Sequence, residues 1–400
     1  MVCNQCVDVG CVHIHVVLLN YAQIKVAYGE YSAGRFVRDI QERFFLQGGS
    51  VYVTDNNSFV VSIANQTCDL LEDTYLSISV TPVVVDDIRV LPVVSLSLVD
   101  AASVESYKMS SMVSSAVCVG ATIKPAKLDH KWRASYERDM SMCVELMSRL
   151  GTRQGSLQRQ PVNSIVTGTV LYEEAFLRFD GDENIQSLCF AEYIEAVKNI
   201  GIQKIVDMYV MNTVLNQLER ESGVSIGCNL SASSFILDKL WARAVKRLAS
   251  NPDMACRLVI ELTEEEPMED IDAALDFIEK LRGLGCRFAL DDLGAGMSRT
   301  TVIERAKFEF IKIDKSLLHS ARHTAAGKSM LKHTVDYCKL FSKEIIVEGM
   351  ETLEDMHEVM SVGVTAGQGF YFNTKEKKSK ISIAYTEAHN KVFPLINLVV

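Results

Sequence analysis

Glu174, Asn229, Glu261, Asp291, Asp292, Lys312 and Glu348 share one property: each falls at, or just past, the C-terminal end of an apolar run that reads as a β-strand. Acids ordinarily spread over solvent-facing helix surfaces, so a series of them at consecutive strand ends points to a site. Carboxylates and an amide offer only oxygen donors, a hard ligand set that suits Mg²⁺ or Mn²⁺ and not zinc. Crowded together without a cation, the same acids repel one another strongly. A metal is therefore close to required if the strand ends meet. Cations held there would make a bound water molecule more acidic.

Such convergence needs a scaffold. From Gln160 onward the sequence alternates short strands with long amphipathic helices, for example at 194–218, 237–249 and 271–284. The strand candidates are 166–179, 225–230, 257–262, 287–290, 310–313, 344–347 and 369–372. Alternation of this kind is the pattern of a β/α barrel, whose strands all end on one face. The preceding residues 11–100 read as a smaller α+β unit: β-rich runs at 12–19, 51–53, 59–63, 75–80 and 93–99 surround one helical stretch at 33–45. A helix at 133–150, closed by Gly151, leads into the barrel. The expected fold class is thus α/β, a TIM-like (β/α)8 barrel behind a smaller α+β domain, divided as 1–128, a connecting helix and linker at 129–158, and 159–390.

Composition bounds the partners. The chain has 400 residues, 48% hydrophobic, enough to bury at least one large core. A net charge of −10 disfavours bulk nucleic-acid binding. No run approaches the ~20 apolar residues that span a bilayer, and the early apolar stretch lacks a basic leader, so neither a membrane anchor nor a signal peptide is expected. The eleven cysteines are scattered, many of them in apolar runs, and read as reduced thiols of a cytoplasmic protein. Cys3-x-x-Cys6 with Cys11 has the spacing of a soft-metal site but lacks a second pair, and is read as ordinary thiols.

Seven motifs, in order between Gln160 and Phe372, give the barrel a family resemblance. Glu174-Ala175-Phe176 followed by Leu177-Arg178-Phe179 resembles the EAL signature, with Phe for its leucine. Asn229-Leu230-Ser231, Glu261-Leu262-Thr263-Glu264 and Asp291-Asp292-Leu293-Gly294-Ala295-Gly296 resemble the asparagine, ExTE and DDFGTG motifs. Lys312-Ile313-Asp314, Glu348-Gly349-Met350-Glu351 and Gln368-Gly369-Phe370 resemble KID, EGVE and QGY. The resemblance implies an EAL domain, a cyclic di-GMP phosphodiesterase fold with two Mg²⁺ or Mn²⁺ ions per active site and a homodimer formed through that domain. It implies that Glu174, Asn229, Glu261 and Asp291 bind one cation and that Asp292 helps hold a second. Glu348 would be the general base, with a metal-ligand role as the alternative, and Lys312 would orient water or offset phosphate charge. Gln160, Arg178 and Gln368 would contact the nucleotide, and Glu264 would steady the loop after Asp291.

The chain also departs from the pattern. Tyr172 replaces the glycine two positions before the EAL motif, and with Phe176 is expected to narrow the pocket. Leu293, Ala295, Met297 and Arg299 alter the loop that couples metal binding to the subunit contact, and a lysine-rich segment replaces the usual exit after Phe372. Loss of a threonine hydroxyl at Ala295 removes one hydrogen bond, worth about 1 kcal/mol. The N-terminal domain is similar to GGDEF domains less closely. Asp55-Asn56-Asn57-Ser58-Phe59 stands where their signature would be, and no carboxylate occurs between Asp8 and Glu30. Cyclase activity is not expected. Hydrolysis of cyclic di-GMP to linear pGpG is the leading reading; the alternatives are a catalytically silent EAL-type receptor or protein-binding adaptor, and a barrel hydrolase of another phosphodiester.

Overall fold

The computed structural model describes residues 11–64, 70–100, 116–117, 129–152, 155–179, 188–263, 268, 270–294 and 300–372. Cys3, Cys6, Glu264, the loop positions Ala295, Met297 and Arg299, and the segment after Phe372 lie outside them. The chain folds as two compact units, one comprising 1–156, 178–208 and 238–243, the other 157–177, 209–237 and 244–400. Among the described residues no helix is long and apolar enough to cross a membrane.

In the first unit, β1 (Cys11–Leu18), β2 (Ser50–Asp55), β3 (Ser58–Ala64), β6 (Val94–Val99) and β7 (Ala116–Val117) form one sheet in the order β2-β3-β1-β6-β7. A separate hairpin is made by β4 (Val83–Val85) and β5 (Ile88–Val90). β1 sits centrally, antiparallel to both β3 and β6. Its alternate residues Ile14, Val16 and Leu18 are fully buried, as strand periodicity requires. One expectation fails here: residues 75–80 are not β. Residues 75–79 belong to the helix Leu70–Ser79, where Leu71, Tyr75 and Ile78 bury one face at helical spacing. A separate helix, Tyr21–Tyr28, precedes the helix Glu30–Leu46. Gly29, at φ +90, breaks the two apart.

The second unit is organised by a closed barrel: β8 (Gly155–Ser164), β9 (Val170–Phe179), β10 (Ile226–Leu230), β11 (Leu258–Thr263), β12 (Arg287–Leu293), β13 (Phe310–Ile313), β14 (Glu344–Val347) and β15 (Ala366–Gln368). From β9 to β15 successive strands pair in parallel. β8 alone runs against β15. The strand expected at 166–179 begins only at Val170, after a turn that links it to β8, a strand not expected from the sequence. The last strand is Ala366–Gln368, since Gly369 (φ +151) ends it and Phe370–Phe372 form a short 3₁₀ turn. The single helix expected at 194–218 is interrupted by Gly201 (φ +87) into Leu188–Ile200 and Gln203–Arg220. The helix expected at 237–249 begins with a 3₁₀ turn, Lys239–Trp241, before Ala242–Ser250.

Val162, Tyr172, Val259, Ala289, Phe310, Ile346 and Ala366 pack together as a buried layer inside the barrel. Side chains alternate along a strand, so the next inward residue lies two positions on. Those next residues are Glu174, Glu261, Asp291, Lys312, Glu348 and Gln368. The barrel interior thus changes from apolar to charged within one step along six parallel strands. Tyr172 belongs to the apolar layer, with 1% of its surface exposed. It does not narrow a substrate pocket; it floors the charged layer.

Candidate active site

Lys312 occupies the centre of the charged layer. Its Nζ lies 2.7 Å from Glu174 Oε2, 2.9 Å from Glu261 Oε2, 2.8 Å from Asp291 Oδ1 and 2.8 Å from Glu348 Oε1. These partners come from four other strands, and Lys312 and Glu261 are wholly buried. Asn229 Nδ2 donates to Glu174 Oε1 at 2.7 Å, and Gln368 Nε2 donates to Glu174 Oε2 at 2.9 Å. The register sets this up: Asn229 is opposite Glu261 on β11, and Glu174 is opposite Gly227 on β10.

Asp291 and Asp292 are adjacent in sequence and would normally face opposite sides of β12. A register irregularity between Leu290 and Leu293 releases them, and Asp292 takes a left-handed backbone (φ +58) that a non-glycine residue adopts only at a cost. Both then reach the same site. Oxygens of Glu174, Glu261 and Asp291 lie within 4.8 Å of one another, as do those of Asp291, Asp292 and Glu348. Two ligand sets therefore share Asp291.

Burial and mutual repulsion leave these acids with very different proton affinities. Burial alone would raise Glu174, but the Lys312 charge and hydrogen bonds from Lys312, Gln368 and Asn229 hold it below the usual range. Glu261, equally buried and also touching Lys312, goes the other way: burial and the Glu174 charge push it well up. Donors explain the difference, since Glu174 accepts hydrogen bonds from two amides as well as the ammonium while Glu261 rests on its ionic contact with Lys312 alone. Burial raises Asp291, opposed by Lys312; it raises Asp292 to about 7, aided by the Asp291 charge. Glu348 rises to about 8 through burial, with Lys312 opposing. Burial would lower Lys312, yet four carboxylates drive it well above its ordinary value.

The donor set fits hard cations. Asn229 uses its amide N–H on Glu174, leaving the buried Oδ1 without a hydrogen-bond partner. Both Glu261 oxygens and Asp291 Oδ1 likewise make no hydrogen bond beyond their ionic contact with Lys312. Buried oxygens of this kind normally find a partner. An oxygen-only set with spare acceptors suits Mg²⁺ or Mn²⁺.

The remaining sequence candidates fall into place by strand direction. Gln160 is half-buried on β8, two residues before Val162, which pairs with Gln368. Because β8 runs against β15, its N-terminal part lies toward the end where the parallel strands finish. Arg178, also half-buried, shares the Glu174 face of β9, roughly 13 Å further along. Sequence reasoning missed the support of Glu348. Gly349 follows it at φ +70, where a Cβ would lie 2.5 Å from Lys315 Cβ, and Arg322 Nη2 donates to Gly349 O at 3.1 Å. Arg322 also makes a two-pronged pair with buried Asp355 (2.7 Å each), which caps the helix Leu353–Ser361 and accepts from the Glu351 and Thr352 amides. The Thr352-x-x-Asp355 capping-box spacing is a local signal that could have pointed to Asp355, whereas Arg322, on another helix, carries none.

Comparison with known proteins agrees with this geometry. The cyclic di-GMP phosphodiesterase PA2567 of Pseudomonas aeruginosa is 25% identical over 240 residues, covering 58% of this chain and 40% of the relative. The chain spans less than half the length of the curated relatives it matches. Among solved structures, the PaMucR phosphodiesterase in complex with c-di-GMP aligns over 58% of this chain and 96% of its own, with 24% identity and a TM-score of 0.51. The S helix-GGDEF-EAL portion of Vibrio cholerae LapD aligns over 91% of this chain and 90% of its own, with 14% identity and a TM-score of 0.53. These likenesses establish the fold: an EAL-type barrel behind a smaller GGDEF-like α/β domain. The EAL domain model matches residues 144–375, more than half of the chain, and the protein therefore belongs to the EAL-domain family.

Proposed function

We propose that this chain hydrolyses cyclic di-GMP to linear pGpG with two Mg²⁺ or Mn²⁺ ions. One observation carries the reading: Glu174, Glu261, Asp291 and Glu348, from four strands, all lie within 2.9 Å of one buried ammonium, that of Lys312. Glu174, Asn229, Glu261 and Asp291 would hold one ion, and Asp292, sharing Asp291, the second. Bound there, the ions would supply charge neutralisation at the scissile phosphate and acidify water.

The chain's own residues supply the rest. Glu348 stands at the edge of the cluster, with its side chain 19% exposed against 0–8% for the acids beneath it, so it is the carboxylate best placed to take a proton from an incoming water. The water oxygen would bond to phosphorus as the bond to one ribose 3′ oxygen breaks; that oxygen would leave as a hydroxyl with a proton drawn from solvent, and Glu348 would afterwards return to solvent the proton it took from the attacking water. Lys312 offsets developing phosphate charge. Arg178 and Gln160, on inward faces toward the finishing ends of the strands, would contact the nucleotide, the guanidinium through its two-pronged donor geometry. Gln368 orients Glu174. Glu264 would steady the loop after Asp291, and the homodimer would form through the EAL domain.

Purified protein supplied with either ion should convert cyclic di-GMP to pGpG, and Glu174→Ala and Glu348→Ala should each abolish conversion. Nucleotide binding without product would favour a receptor instead.

A further inference from the structure

Seven residues form the apolar floor of the barrel, and the corresponding position on β10, two before Asn229, is Gly227. A layer built from alternating large and small side chains places its smallest member beside its largest. Here the largest is Tyr172, on the neighbouring strand β9. A Cβ built on Gly227 would overlap Glu261 Oε1 outright and lie 2.8 Å from Tyr172 Cε2 and 3.0 Å from Cδ2. Two groups therefore share the volume that a side chain at 227 would fill: the Tyr172 ring and the Glu261 carboxylate.

Glu261 needs such a holder. It is 0% exposed, neither oxygen accepts a hydrogen bond, and its contact with Lys312 is ionic and weakly directional. Glu174, by contrast, is fixed by amide donors on two sides. A buried carboxylate without donors is positioned by what it packs against. The Tyr172 ring is itself immobilised, 1% exposed and 5.2 Å from the Phe310 ring.

We infer that Gly227 and Tyr172 are positioning residues which form the niche that fixes the Glu261 carboxylate in the metal-binding layer. The inference rests on the reading of Glu261 as a metal ligand. The large residue at 172 and the absent side chain at 227 are then one device: the ring fills the floor and closes one side of the niche, while the bare backbone lets the carboxylate settle over β10.

The test is Mn²⁺ titration of the metal-stripped full chain, followed by the electron paramagnetic resonance signal of free Mn²⁺, with thermal melting as a folding control. Gly227→Ala should weaken Mn²⁺ binding by about 10-fold to 100-fold, the range typical for groups that support metal ligands. Tyr172→Phe, which keeps the ring, should bind like the wild type, whereas Tyr172→Ala should weaken binding. The double variant Tyr172→Ala/Gly227→Ala should bind more tightly than Gly227→Ala alone, because the carboxylate regains room. Wild-type affinity in Gly227→Ala overturns the inference, and so does equal loss in the Phe and Ala variants at 172. Should Gly227→Ala fail to fold, the comparison at 172 decides. A wild type that takes up no Mn²⁺ overturns the metal reading itself, and the niche with it.

Discussion

Along β1 of the N-terminal unit, Ile14, Val16 and Leu18 are fully buried and the strand carries no carboxylate. Along the barrel strands the inward face turns from Val259 to Glu261, from Ala289 to Asp291 and from Ile346 to Glu348 within two residues. Of the polar groups on β1, buried His13 meets the Ser62 hydroxyl through Nδ1 at 2.6 Å, and burial lowers the pKa of half-buried His15. The two regions obey one rule. Burying a charge costs several kcal/mol unless opposite charge compensates it, so the buried acids sit beside cations: the barrel acids beside Lys312, Asp355 beside Arg322 and Glu72 beside Arg243. β1 brings no acid into the interior and keeps an ordinary core. The β2–β3 turn at Asn56–Asn57 likewise presents amides where a signature acid would be needed, and Asn57 is occupied with Leu18.

Perturbing each region should separate them, beginning with the largest effect. Glu348→Gln keeps shape but removes the proposed base, and should lower turnover by about 10²-fold to 10⁴-fold while cyclic di-GMP still binds; calorimetry beside a product assay reads both. Arg322→Ala frees the loop behind Glu348, and should reduce kcat by roughly 10-fold to 100-fold with little change in KM, since misplacement of a reacting group acts on the rate.

The third perturbation is pH. Glu348 and Asp292 have folded-state values raised to about 8 and about 7 above ordinary carboxylates, so the folded chain without metal binds protons that the unfolded chain releases. Their stabilising contribution is complete below about pH 4.5 and is lost as pH rises through 7 to 8. Melting of metal-stripped protein should therefore occur at lower temperature as pH rises across that window, and Mn²⁺ should restore most at the alkaline end. A melting curve that rises with pH in the stripped protein would show that the acids are not held in this way. The smallest effect belongs to the other region: Asp55→Ala, in the exposed end of β2, should leave pGpG formation within about twofold, as expected of a surface change away from the site. A large loss there would mean that the N-terminal hairpin takes part in the chemistry.

Much of the site was legible because strand periodicity and motif order reinforce one another. Residues 310–313 and 344–347 were read as strands with their observed limits, and Lys312 and Glu348 follow from them. What escaped was decided by contacts distant in sequence. β8 does not read as a strand because Pro161 and polar residues interrupt it, and only its pairing with β15 reveals it. Residues 75–80 have β-like composition, but Leu71 supplies the third point of a helical face. Tyr172 looked like an obstacle to substrate because its register, one step deeper than Glu174, becomes apparent only when the barrel closes. Gly227 drew no notice, since a missing side chain has meaning only beside the group that fills its place.

The central claim is that the acids around Lys312 form a metal-dependent hydrolytic centre. Its most direct test is chromatographic detection of pGpG from cyclic di-GMP with metal-stripped wild-type protein, before and after Mg²⁺ or Mn²⁺ is restored. The account predicts no product from stripped protein, sustained product once either ion is added, and none from Glu174→Ala under any condition. Wild type that binds the nucleotide yet makes no pGpG at micromolar enzyme with either ion would contradict it.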